Sequence, residues 1–520
     1  MIAHRRSFLR AAAAGIGAFA VPRPRLAADA EIEVDPSSPG PPISPHVYGH
    51  FIEHLGGVIY DGIWVGRESR IPNVDGIRKQ FVDDMKRIGA PNLRWPGGCF
   101  ADGYHWRDGI GPANKRPRTY NYWENRVLPG RHAVEGNEFG VHEFMRLCRL
   151  VGAEPYVAAN VGSGTPREFH DWVSYCNAPA GALSLADERA ANGDREPFNV
   201  KYWGVGNESW GCGGNMTGGE YAAEYRKFIA QFPVYLRPFF VATGPRGHSA
   251  DGDVGWTEDF FGGLQSVRGL GVRVDGFALH YYTDFRQTAE DGARFDARGW
   301  YAVLHKGAHI ENVINDHWAI MGRYDPPHRT RFVIDEWGDW YRGGTELGPD
   351  YILSQTITLR DALHAAMTLD IFNRHAGKIE MANLAQTINC LHSLFAAVGD
   401  KYVRTPAYYT FEMYRPHMGG RLVPARIEAP ELTVPHKSLT GTLTNPSRQE
   451  SVATRIRLAG GARLRDARAT VLTHQDMHAT NTFEKPDEVA LAALPATISG
   501  DAATVAIPKQ AVVAVSLQLA

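Results

Sequence analysis

Eight short apolar segments, each parted from the next by a stretch of helical periodicity, limit this chain to very few architectures. They are His46–Phe51, Asn92–Pro96, Glu154–Val161, Asn199–Glu208, Tyr235–Thr243, Val274–Tyr282, Arg331–Glu336 and Ile379–Gln386. Each is short and rich in aromatic or β-branched residues, the signature of a strand buried on both faces. Between them apolar residues recur every three or four positions. In Gly76–Ile88, for example, Phe81, Met85 and Ile88 share one helix face. Strand–helix alternation of this regularity predicts an α/β fold with a parallel sheet, closed as a (β/α)8 TIM barrel or open and doubly wound. The open form would need a G-x-G-x-x-G turn after an early strand, and none is present. The barrel is the expectation.

The pattern changes near residue 405. Leu439–Leu443, Ala453–Leu458, Ala467–Leu472, Val489–Leu494 and Val512–Leu519 are short alternating runs between turn residues. They predict a C-terminal antiparallel β-sandwich, jelly-roll-like, over 405–520. The early strand Glu31–Val34 precedes a Pro-rich bridge, Pro36–Pro45, and joins that sandwich, since alone it would be unpaired. The barrel then occupies 46–404. Residues 1–30 read as an address: His4-Arg5-Arg6-Ser7-Phe8-Leu9-Arg10 matches the twin-arginine pattern, and Ala11–Val21 is too short to span a bilayer. Export to the periplasm or medium is the expectation.

A net charge of −2 over 520 residues makes no electrostatic case for nucleic acid or for a membrane surface. The five cysteines, Cys99, Cys148, Cys176, Cys212 and Cys390, are scattered and form no C-x-x-C pair, which argues against a zinc ribbon and a dense disulfide framework. His46, His50, Glu53 and His54 invite a metal reading, but Gly49 and strand-like surroundings deny the helix that would align them. No metal and no cofactor is expected. The loop Gly211–Met216 lacks the Lys-Ser/Thr of a phosphate cradle and reads as a flexible substrate loop.

Polar residues stand where apolar strands should simply stop: Glu53, Arg94, Asn160, Asn207-Glu208, His280-Tyr281-Tyr282, Asp335-Glu336 and Gln386. In a barrel these ends share the C-terminal rim, where they would form one polar cup. Two strand-end carboxylates, Glu208 and Glu336, suit glycoside hydrolysis, in which one protonates the departing oxygen and the other attacks the anomeric carbon or activates water. Asn207 is placed to bond a sugar hydroxyl. Other readings stay open: Glu336 as a structural partner of Arg94, Cys99 as a small buried apolar group, Tyr282 and Trp340 as core aromatics.

Six segments carry a family resemblance: Tyr48–Trp64, Leu93–Pro112, Gly204–Met216, Phe277–Thr283, Ile334–Tyr341 and Asn383–Cys390. With the late stretch Val471–Val489, they resemble the α-L-arabinofuranosidases of glycoside hydrolase family 51. The resemblance implies a retaining, exo-acting enzyme that releases terminal arabinofuranose from arabinoxylan, arabinan or their oligosaccharides. It implies Glu208 as acid/base and Glu336 as nucleophile. Glu53, Arg94, Cys99, Asn207, Tyr282 and Gln386 would line the pocket, with His280 behind it and Trp340 as a wall. It also implies a homo-oligomer, often a hexamer. The pair Gly338-Asp339 departs from the family pattern after the nucleophile's Trp. Another retaining glycosidase on the same frame, an endo-glucanase or β-xylosidase, is the competing reading.

Overall fold

The eight segments close on themselves. A computed structural model describes residues 30–519 apart from 128–133, 237, 248–251, 266–271, 287–290, 343, 345, 429–438 and 462. The leader expected over 1–30 lies outside the described residues except for its last residue. The barrel strands are Gly49–Phe51 (β1), Asn92–Trp95 (β2), Glu154–Ala159 (β3), Tyr202–Val205 (β4), Phe239–Ala242 (β5), Gly276–Asp284 (β6), Arg331–Trp340 (β7) and Ile379–Leu384 (β8). Each pairs in parallel with its neighbours in chain order, and β8 returns to β1. Inside, Tyr156, Tyr202, Val241, Ala278, Val333 and Met381, from six successive strands, pack into one layer. The barrel is therefore a filled core rather than a pore.

Helices cover the outside, and their starts follow capping chemistry. Thr217 and Glu220 form a reciprocal cap on the helix Gly218–Ile229 that follows β4. Beyond residue 404, where sheet alone was expected, the helix Pro406–Tyr414 packs between Leu359–Arg374 and Lys79–Ile88 and completes the ring. Its apolar residues are buried almost all round, so it shows none of the one-sided periodicity by which a surface helix is read.

The C-terminal region is a pair of sheets around Ile32, Leu443, Ile456, Val505, Val513 and Leu517. Ala30–Val34 lies between Ala425–Glu428, antiparallel, and Val452–Leu458, parallel. That parallel pair departs from the all-antiparallel expectation. The hairpin Ala496–Ser499 and Ala502–Ile507 was not legible, because its alanines and threonines carry little hydropathic contrast.

One irregularity positions chemistry. Along β6 and β7 the register runs Leu279 with Ile334 and then His280 with Glu336, so Asp335 is an extra residue in β7. In a regular strand consecutive side chains face opposite ways. The bulge lets Asp335 and Glu336 both reach Arg94, at 3.7 and 2.7 Å.

Candidate active site

At the C-terminal ends of the strands lies a cavity of about 300 Å³. Glu53, Cys99, Glu208, Tyr282, Glu336, Trp340 and Gln386 line it. Three other expected site residues, Arg94, Asn207 and His280, stand behind the wall, holding the carboxylates.

Glu336 is almost enclosed. Arg94 Nη1 donates to its Oε1 at 2.7 Å and the Tyr282 hydroxyl donates to its Oε2 at 2.8 Å. His280 Nδ1 stands 3.5 Å from the same Oε2. Burial pushes the Glu336 carboxyl up, but the His280 and Arg94 charges and the hydrogen bonds outweigh it and hold the group below the usual range. Gly98 is required here: a Cβ on it would lie 2.6 Å from Glu336 Oε1.

Glu208 follows β4 at φ 41°, a left-handed conformation that a non-glycine residue adopts at some cost. Its Oε1 is 3.1 Å from His280 Nδ1. Its other oxygen faces two sulfurs, Cys212 at 3.4 Å and Cys99 at 3.7 Å. Those sulfurs are bonded to each other as a disulfide, so they carry no proton to donate. An oxygen of Glu208, an oxygen of Glu336 and a His280 nitrogen all lie within 4.8 Å of one another. Burial alone would strip the proton from His280, but the Glu336 charge and hydrogen bonds to Asp335 and Glu208 raise it to about 10. It is an imidazolium set between two carboxylates.

The rest of the cup braces these groups. Arg94 Nη2 donates to Asn207 Oδ1 at 2.6 Å. Asp102 accepts the backbone N–H groups of Val161, Gly162 and Asn207, and burial pushes its carboxyl up to about 7. Glu53 accepts from Gly98 N, Phe100 N and Gln386 Nε2, at 3.0, 3.1 and 2.6 Å. Burial, then the Glu336 charge, raises it to about 7. Tyr282 meets Trp340 edge-on at 5.1 Å, and Arg286 lies over the Trp340 ring at 4.1 Å at the pocket wall.

A family model described as the alpha-L-arabinofuranosidase 1 domain matches residues 84–297. A second, the alpha-L-arabinofuranosidase C-terminal domain, matches 335–510. An intracellular exo-alpha-L-arabinofuranosidase of Bacteroides ovatus is 37% identical over 500 residues, covering 92% of this chain and 93% of the relative. The chain belongs to the family 51 α-L-arabinofuranosidases. The crystal structure of the family 51 arabinofuranosidase from Xanthomonas axonopodis pv. citri matches with a TM-score of 0.86 at 36% identity, over 95% of this chain and all of that one. An intracellular exo-alpha-(1->5)-L-arabinofuranosidase of Streptomyces lividans is 27% identical, over 88% of this chain and 71% of its own length.

Membership in this family makes the chain an exo-acting arabinofuranosidase on a (β/α)8 barrel with a C-terminal β-rich domain. It also corrects one expectation. Two arabinofuranosidases similar to nine-tenths of this chain are named intracellular, which overturns the exported localisation read from His4–Arg10. Paired arginines before a run of alanines are a short pattern with little information against such relatives.

Other readings change with the geometry. Cys99 is neither a free thiol nor a lone apolar filler, because it is bonded to Cys212. That bond also pins the Gly211–Met216 loop that was expected to be flexible. The histidines near β1 do not converge: His54 takes Glu135 at 2.8 Å and Trp95 Nε1 at 3.0 Å, while His50 is buried against Phe411. Asp102, Cys212 and Arg286 escaped sequence reasoning, as did Trp123, which also lines the cavity. For Cys212 the only signal was a second cysteine four residues past a strand-end Glu, 113 positions from its partner.

Proposed function

We propose that Glu336 is the nucleophile and Glu208 the acid/base of a double displacement that releases terminal α-L-arabinofuranose with retained configuration. In the first step Glu336 attacks the anomeric carbon, the glycosidic C–O bond breaks, and Glu208 gives its proton to the departing oxygen. In the second, water attacks the glycosyl ester, Glu208 takes the water's proton, and Glu336 leaves as carboxylate. The observation that carries this reading is the carboxylate spacing. Oxygens within 4.8 Å leave no room for a water between the second carboxylate and the anomeric carbon, for which inverting enzymes set their carboxyls about 6.5–9.5 Å apart. The cavity supports exo action, since a volume of about 300 Å³ suits one terminal sugar better than a polymer threaded through.

Glu53, Gln386, Tyr282 and Trp340 would hold the arabinofuranose, and Arg94, Asn207 and His280 would keep the two carboxylates in place. The disulfide Cys99–Cys212 would form the floor beside the acid. The same reading assigns catalysis to the barrel, 46–404 together with the helix Pro406–Tyr414 that completes its ring, and capping to the sandwich of later strands with strand 31–34, assembled as an oligomer. Its substrates would be arabinofuranosyl side chains of arabinoxylan or arabinan.

Proton NMR of the first-formed sugar from an aryl α-L-arabinofuranoside tests the mechanism. The α-anomer should appear before mutarotation, and an initial β-anomer would refute the nucleophile. Chromatography of polymer digests should show free arabinose. A ladder of oligosaccharides would favour the endo-acting alternative.

A further inference from the structure

Behind the proton donor stands a carboxylate that is no part of the cavity lining. Asp102 sits in the short 3-10 helix Ala101–Gly103 after β2 and is only 6% exposed. Its Oδ1 accepts the backbone N–H groups of Val161 and Gly162, both at 2.9 Å, and its Oδ2 accepts that of Asn207 at 3.1 Å. The first two lie at the exit of β3 and the third at the exit of β4, so one side chain ties together two neighbouring strand ends.

The main chain it grips leads straight to Glu208. Gly206 and Glu208 have φ of 89° and 41°, so Asn207 stands between two left-handed residues. A residue with a side chain keeps such a conformation only where its surroundings over-determine it. Asp102 fixes the entry to the turn, and the Glu208 carbonyl, which accepts from Gly211 N at 2.7 Å and Gly213 N at 3.1 Å, fixes the exit. The clamp has little play: a Cβ on Gly162 would lie 2.9 Å from the Asp102 Cβ, and one on Gly213 would lie 2.7 Å from its Oδ2.

A carboxylate is a costly choice here, because burial penalises its charge and pushes the group up to about 7. One N–H group needs no such acceptor, since a hydroxyl or an amide oxygen would serve it. Among short side chains only a carboxylate offers lone pairs at both ends at once, and both ends of Asp102 face donors. An amide in its place would turn its own N–H₂ toward one strand end, donor against donor.

We propose that Asp102 is a positioning residue for the proton transfer: it sets where the Asn207–Glu208 main chain leaves β4 and so aims the Glu208 carboxyl at the departing oxygen. The role rests on Glu208 being the acid/base and deepens that reading. Glu336 depends on it less, since Arg94 and Tyr282 hold that carboxylate directly.

Asp102→Asn in the full chain tests this, with Glu208→Ala as the reference. The variant keeps an oxygen for Val161 and Gly162 and sets an amide N–H₂ against the Asn207 N–H. Displacing a reacting group by about 1 Å costs roughly 10²-fold, so kcat/KM on arabinoxylo-oligosaccharides should fall by about that factor. On a nitrophenyl arabinofuranoside, whose leaving group hardly needs the proton, kcat/KM should fall by less than about fivefold. The inhibition constant of free arabinose should stay unchanged, because the sugar contacts are intact. Asp102→Ser, which leaves room for water against the freed N–H groups, should show the same split and decides where the Asn variant does not fold. Losses in a folded variant that are equal on both substrates, or absent, would overturn the proposal alone if Glu208→Ala still discriminates between them. A Glu208→Ala enzyme that loses equally on both would instead remove the acid role, and the positioning role with it.

Discussion

Glu336 and Glu208 share one rim, yet the chain surrounds them differently. Around Glu336 stand a guanidinium, a phenol and an imidazolium, each stabilising its anion. Glu208 has the same imidazolium on one oxygen and only disulfide sulfurs against the other. Its side chain is 15% exposed, against 8% for Glu336. The lesson concerns donors rather than depth. Burial penalises the charge on any carboxylate, and the count of cations and hydrogen bonds decides whether the charge survives. Under the proposed mechanism, one group is kept ionised for attack, while the other keeps an oxygen clear of donors to pass a proton.

The largest effect should come from breaking the ionised side. Glu336→Ala removes the attacking atom, and kcat on an aryl arabinofuranoside should fall by ~10⁴-fold or more. Turnover within tenfold of the unaltered enzyme would remove Glu336 from the chemistry. Breaking the proton-carrying side should cost less, and unevenly. General acid catalysis is worth about 10²–10⁴-fold, and the leaving group that needs the proton most loses most. Glu208→Ala should therefore lose at the upper end of that range on arabinoxylo-oligosaccharides and far less in the first step on a nitrophenyl substrate. Equal losses on both would reverse the assignment of roles.

Much of this contrast was visible in the sequence. Strand-end glutamates announce themselves, because an apolar run that stops in Gly206-Asn207-Glu208 or Asp335-Glu336 has no packing reason to end in charge. Tyr282 and Arg94 were legible as rim residues for the same reason. What differentiates the two sides was not legible. The disulfide joins positions 113 apart with no local motif, and the bulge at Asp335 depends on pairing with β6. Asp102 lies in a loop after β2, and only folding brings it to the backbone of Asn207. Long-range contacts of that kind leave no periodicity to read.

Tyr282→Phe sharpens the comparison by one hydrogen bond. A bond to a charged group is worth about 1.5–3 kcal/mol, so kcat should fall roughly ten- to hundredfold while the fold is kept. The loss should grow as pH falls, since the remaining partners hold Glu336 ionised less firmly. A pH–rate profile whose acid limb does not move would show that the phenol serves the substrate rather than the nucleophile.

Glu53 supplies the control, a third carboxylate buried in the same cup but given no cation within hydrogen-bond distance. Its group rises from an ordinary 4.5 to about 7. A folded value above the unfolded one means that the native state binds the proton more tightly. The stabilisation is full below about pH 4.5 and is lost as pH rises through about 7. Glu53→Gln cannot titrate, and its amide can be accommodated, because Gln386 Oε1 has no partner and turning that amide would offer an acceptor. The melting temperature of the variant should thus gain on that of the unaltered protein between pH 5 and 8. One pKa unit is about 1.4 kcal/mol, and relaxation trims the total to on the order of 1–2 kcal/mol. Asp102 and Asp370 also titrate near 7 but are present in both proteins, so they cancel in the difference. A difference that stays flat across that range would mean that Glu53 is ionised throughout, and that three hydrogen bonds without a cation suffice to hold a buried charge.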